Sequence, residues 1–213
     1  MRPTIALALL SITILPTFAQ LPADLKHKFD EAERRIVRLS PTAFPELPRN
    51  VVRELQRRGC TIPQTPYTKR TQNVIKGEFA KPGQTDWAVL CSLNKTPWLF
   101  SFWSDPHYVS SILVFWNGSG SHPAEIAPME DRNYLQGITA NEIGFSRGIA
   151  PARREFIMRH NDPASGAPNP PPAYNRPKLP LIDHQGIDDA FIEKASVAWY
   201  FHDGKWMKLT GAD

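Results

Sequence analysis

Only two of the 213 residues are cysteine, and no short-spaced Cys or His stands beside either. That spacing excludes a structural zinc site, which needs four ligands drawn from close pairs. No metalloprotease His-Glu-x-x-His pair, phosphate-binding glycine loop or Gly-x-Ser-x-Gly elbow is present. Gly118-Ser-Gly-Ser121 shares only its composition with that elbow and reads as a turn. No apolar run reaches the eighteen or so residues of a spanning helix. Dense basic blocks are missing too. Arg34-Arg35, Arg57-Arg58, Lys69-Arg70 and Arg153-Arg154 are isolated doublets in a chain of formal charge +4. They read as solvated surface, so no nucleic-acid partner is expected.

What is present begins at the N-terminus. Arg2, the apolar run Ile5 to Leu15, and Thr17-Phe18-Ala19 before Gln20 have the order of a secretory signal peptide. Cleavage after residue 19 leaves 194 residues near +3, enough for a single domain at 20–213 with a substantial core. The expected location is secreted or periplasmic, with no membrane span in the mature chain. In an oxidising space Cys60 and Cys91 are most simply one disulfide. Such a bond contributes about 3–4 kcal/mol in the chain-entropy account. The alternative is two buried thiols.

Residues 22–38 predict an amphipathic helix, because Leu25, Phe29, Ala32, Ile36 and Leu39 recur every three or four positions. Asp24 near its start and Arg34, Arg35 and Arg38 near its end suit the helix dipole. A second helix is predicted from Pro48 to Arg58, with Gly59 at its C-terminal turn. From Asn73 the pattern shortens. Asn73 to Phe79, Trp87 to Ser92, Trp98 to Trp103 and Ser111 to Trp116 read as strands of an antiparallel meander. Pro151 to His160 is expected to add a strand with Phe156 and Met158 on one face. Residues 161–180 hold seven prolines and read as an extended loop. Asp203-Gly204 between apolar-aromatic runs is a hairpin signal.

Three segments carry a resemblance. They are Arg58-Gly-Cys-Thr-Ile-Pro-Gln64, Gly83-Gln-Thr-Asp-Trp-Ala-Val-Leu-Cys-Ser92, and Gly186-Ile-Asp-Asp-Ala-Phe-Ile-Glu-Lys-Ala-Ser196 with the chain end. Together they resemble a family of uncharacterised secreted bacterial proteins, which implies a periplasmic or extracellular chain and no particular activity. Residues 77–89 also resemble the calcium loop of FG-GAP propeller repeats. In that likeness Glu78 and Asp86 match ligand positions, while Ala80 and Pro82 stand where further side-chain oxygens belong. Only one copy is evident, and no cofactor is expected.

The densest ionisable group is Asp183, His184, Asp188, Asp189 and Glu193. Were 187–194 helical, Asp189 and Glu193 would share a face and could work as paired acids beside a histidine, with His160 and His202 as further candidates. An ordinary helix start explains the same acids. Trp98, Trp103 and Trp116 are candidates for an exposed aromatic surface. Trp98, Phe100 and Phe102 alternate with Leu99, Ser101 and Trp103, so that strand is either covered on both faces or part of a patch. The fold expected is α+β, with two N-terminal helices on a mainly antiparallel sheet closed by a C-terminal hairpin. The function expected is a secreted, non-enzymatic binding or interaction protein for an envelope or extracellular ligand. The alternative is an extracellular hydrolase using the Asp183–Glu193 acids with a histidine.

Overall fold

A computed structural model describes residues 23–103, 129–139, 142–161 and 182–210. The expected signal peptide, the Ser111 to Trp116 segment and all but the first residue of the 161–180 stretch lie outside them. The described chain is mixed α and β, and its strand pairings are antiparallel. The helices are α1 (Ala23–Arg35), α2 (Arg49–Arg57) and α3 (Arg154–Asn161).

The three described strands of the expected meander pair in sequence order, but the C-terminal strands form a sheet of their own. β3 (Val74–Gly77), β4 (Asp86–Leu93) and β5 (Thr96–Phe102) make a three-stranded sheet in that order. β8 (Arg147–Ala152), β9 (Gly186–Phe191), β10 (Ala195–His202) and β11 (Lys205–Thr210) make a separate four-stranded one. Two small pairs complete the described set: β1 (Arg38–Leu39) with β2 (Ile62–Pro63), and β6 (Leu135–Thr139) with β7 (Glu142–Phe145).

The apolar residues on both faces of β4 and β5 explain the split. Val89, Cys91, Phe100 and Phe102 form one cluster with Phe44, Leu47 and the α2 residues Val51 and Leu55. Ala88, Leu99 and Trp103 face the other way and cluster with Ile187, Val197 and Trp199 of the second sheet. The two sheets therefore stack with a shared core, and each large apolar side chain buried there stabilises by roughly 1.5–3 kcal/mol. α1 packs at one end of this stack, with Ala32 and Ile36 against Leu90, Tyr134, Leu135 and Phe145.

Local chemistry sets the turns. Gly59 takes φ 71°, its N–H meets the Gln56 carbonyl at 2.9 Å, and the Cys60 N–H meets that of Leu55 at 2.9 Å. This Schellman pattern ends α2 and aims Cys60 at β4. Cys60 and Cys91 form a disulfide with Cα atoms 5.5 Å apart. The next residues continue the contact, with Thr61 and Ser92 exchanging backbone hydrogen bonds of 3.2 and 2.7 Å. Asp203 and Gly204 have φ of 46° and 77°, the double positive φ of a two-residue hairpin, and set His202 opposite Lys205.

Three expectations change. The first helix stops at Arg35, because Arg38 and Leu39 pair with Pro63 and Ile62 as a short strand. The Pro151 to His160 segment is mostly helix. β8 ends at Ala152, and the α3 residue Ile157 packs on Ala152, Ala198 and Tyr200. The 187–194 segment is not helical, since β9 is paired on both sides, with β8 and with β10.

Candidate functional site

β9 holds Asp188 and Asp189 of the acidic cluster, while Asp183 and His184 precede it and Glu193 follows it. Asp188 and Asp189 are neighbours there, so their side chains leave opposite faces of the sheet. Asp189 is 2% exposed and points into the core. Its two oxygens receive Arg147 Nε and Nη2, each at 2.8 Å, and Trp199 Nε1 adds a contact at 3.4 Å. The Arg147 guanidinium lies 4.9 Å from the centre of the Tyr134 ring. Burial opposes the Arg147 charge, yet the Asp189 carboxylate outweighs it and holds the guanidinium above its ordinary range. Burial also pushes the Tyr134 phenol up to about 12. A carboxylate gripped by a bidentate fork is a structural joint, with both oxygens engaged inside the fold.

The other members do not gather around it. Asp183 is exposed, and Glu193 is exposed in a turn at φ 62°. His184 is buried with Nδ1 2.8 Å from the Gln185 carbonyl oxygen. Asp188 is half-buried on the opposite face. Burial raises its carboxyl pKa despite a hydrogen bond from Ser196. His202 lies against its own neighbour Asp203 at 3.3 Å, and the His160 side chain is outside the described residues.

The calcium-like loop has a different content. Asp86 is fully buried, and its Oδ2 accepts the Phe79 and Ala80 N–H groups, both at 2.9 Å. Its Oδ1 accepts Gln84 Nε2 at 2.6 Å. N–H donors thus occupy both oxygens, and Glu78 is exposed with its backbone paired to Gln185. This donor set does not fit calcium, which requires free oxygens converging on one point. The Asp86 carboxylate ties the turn itself. Among the described residues no group of three or more His, Cys, Asp or Glu is placed to hold a metal ion.

The tryptophans are mostly core. Trp98 packs half-buried against the cluster around Phe100. Trp103 is 9% exposed and stacks on Trp206 with ring centres 5.7 Å apart. Trp116 lies outside the described residues. β5 is therefore covered on both faces: by α2 and its neighbours on one, by the second sheet on the other.

An open site occurs elsewhere, where residues that seemed unremarkable in sequence converge. A cleft of about 400 Å³ opens between the end of α1, the loop at 64–71, and β7. One glutamine forms the neck of that loop. Gln64 N donates to the Val37 carbonyl at 2.8 Å, and its Nε2 donates to the carbonyls of Ile62, Pro63 and Gln72 at 3.1–3.2 Å. Its Oε1 accepts the Gln72 N–H at 2.8 Å. Within the loop, Thr65 and Thr68 hydroxyls accept the N–H groups of Tyr67 and Arg70, at 3.3 and 3.1 Å. These local bonds are the hydroxyl-stabilised turns that suit exposed backbone. Tyr67 Oη accepts Gln136 Nε2 at 2.7 Å, which fastens the loop to β6.

Ion pairs outside the cleft fasten α1, whose Ala32, Arg35 and Ile36 line it. Arg132 bonds both Asp30 and Glu33 on α1, and Lys95 reaches Glu33 at 2.9 Å. The Arg132 hydrogen bond lowers the Asp30 pKa, and the Lys95 hydrogen bond lowers that of Glu33. Arg38 donates to the buried Asp131 from Nε and Nη2, at 3.0 and 2.7 Å. Ser92 Oγ donates to the same oxygen at 2.6 Å.

Ala32, Ile36 and Phe145 make an apolar floor, joined by half-buried Leu39 and Ile143. Val37, at 58%, is the one large hydrophobic left exposed among the described residues, and it lines this cleft. Arg35, Lys69 and Arg70 stand at the rim against a single acid, Glu142. Arg35 is 3.9 Å from Glu31, and no carboxylate among the described residues pairs with Lys69 or Arg70. In sequence, Lys69-Arg70 is one basic doublet among four. The Gln64–Gln72 closure that presents it has no motif of its own.

Comparison with protein-family models, curated proteins and solved structures finds no match to the chain.

Proposed function

We propose that this is a secreted, non-enzymatic binding protein of the bacterial envelope or exterior, which takes a small ligand in the α1–β7 cleft. The observation that carries the reading is unpaired positive charge above an apolar floor, in a concavity whose walls are held by their own hydrogen bonds. Such preformed hollows with a few polar groups are the usual form of small-molecule sites. The first nineteen residues, the Cys60–Cys91 disulfide and the resemblance to secreted bacterial proteins support export, since disulfides persist in oxidising compartments. In this reading residues 20–213 are one domain, with the two N-terminal helices on the strands and the C-terminal hairpin as the closing edge.

The hydrolase alternative has less support, because Asp189 is engaged by Arg147 and Asp188 leaves the other face of β9. The test is native mass spectrometry of the mature chain after exposure to a solvent extract of bacterial envelopes. A small-molecule adduct is expected on wild type and not on Ile143→Trp, which fills the cleft. Equal adducts on both proteins, or hydrolysed extract components, would count against the reading.

A further inference from the structure

We infer that the ligand is a single-chain anionic amphiphile, with a carboxylate or phosphate head at Lys69 and Arg70 and its apolar body over Ile36, Val37 and Phe145. The inference rests on the cleft reading and adds the chemistry of the occupant. Two observations point to it independently.

The first is charge. Lys69 and Arg70 have no acidic partner among the described residues, whereas Arg132, Lys95 and Arg38 each hold a carboxylate. Both stand at the cleft on a loop stiffened by Gln64, Thr65 and Thr68. A guanidinium beside an ammonium suits a carboxylate or phosphate head.

The second is the exposed apolar Val37, which adjoins the buried floor in the same concavity. A purely polar anion would leave that surface wet, and an uncharged hydrocarbon would leave the cations unused. One molecule with both halves satisfies both. At about 400 Å³ the cleft is near the small end of ligand sites, which favours one chain over two.

Calorimetric titration of the mature protein with decanoate, decyl phosphate, decanol and decyltrimethylammonium tests this. Decanoate or decyl phosphate is expected to bind, and the tighter of the two identifies the head. Decanol and the cation should bind at least about tenfold more weakly, and affinity for the anions should fall with added salt. The exposed pair Lys69→Glu/Arg70→Glu should lose about tenfold or more in anion affinity while keeping the wild-type circular dichroism and Tm. Val37→Glu, also at an exposed position, should lose affinity for the anions as well. Equal binding of decanol or the cation, or an unchanged anion affinity in Lys69→Glu/Arg70→Glu, overturns the anionic class. If decanol binds and Val37→Glu or Ile143→Trp abolishes it, the cleft survives and only the class falls. Binding untouched by both of those substitutions overturns the cleft as well. No binding by any of the four overturns the amphiphile, and the envelope-extract adduct then decides the cleft.

Discussion

Arg147 and Arg70 carry the same guanidinium in opposite settings. Arg147 is 1% exposed, forked onto Asp189 and laid over Tyr134. Arg70 is exposed at the mouth of a cleft, with no carboxylate partner among the described residues. A buried charge must be compensated within the fold, because its desolvation cost otherwise runs to several kcal/mol. A rim charge remains hydrated and has no such requirement, which leaves it available for a ligand. The contrast separates a group that holds the sheets together from one that meets the outside.

The largest effect expected from breaking this contrast is at the joint. Asp189→Ala strands Arg147 in the core and should cost about 3–5 kcal/mol in urea unfolding. Arg147→Met with Asp189→Leu should recover most of that loss; a double variant as unstable as the single would show that the charge pair is not the cause. Next comes the covalent tie. Cys60→Ala with Cys91→Ala should lower stability by about 2–4 kcal/mol without changing the far-ultraviolet circular dichroism below the transition.

A smaller, pH-dependent effect belongs to Asp188. Burial raises its folded pKa above 3.8, so the folded chain binds that proton more tightly than the unfolded chain. Ionised Asp188 therefore weakens the fold progressively as pH rises through the interval between 3.8 and the raised folded value. Asp188→Asn should be more stable than wild type at neutral pH, and thermal melts should converge as pH falls below that interval. The smallest stability change is expected at the rim, where Lys69→Glu/Arg70→Glu should stay within about 0.5 kcal/mol of wild type. A large loss there would place the doublet among the structural charges and erase the contrast.

Legibility from the chain followed the range of the interaction. The Gly59 turn, the Asp203-Gly204 hairpin and the β4–β5 pair were readable, because each depends on residues a few positions apart. The equivalent turn at Asn94-Lys95, with φ of 48° and 65°, was less visible because lysine is not a usual positive-φ residue. The 187–194 segment misled because acids before Ala-Phe-Ile also suit a helix start, whereas pairing with β8 and β10 makes it a strand. The cleft had no local mark. Gln64 and Val37 are 27 positions apart, and β7 lies more than seventy beyond Gln64.

The sequence by itself determined the mixed, largely antiparallel character and several turns, and made one disulfide the simplest expectation for its two cysteines. These follow from side-chain period, backbone sterics and the count of sulfurs. Tertiary structure alone decided that the strands divide into stacked sheets, that Asp189 faces Arg147 and not solvent, and that Lys69 and Arg70 overlook an apolar hollow. A residue's neighbours across the fold set its dielectric and its partners. The same charged side chain is therefore a structural joint in one place and an open contact in another.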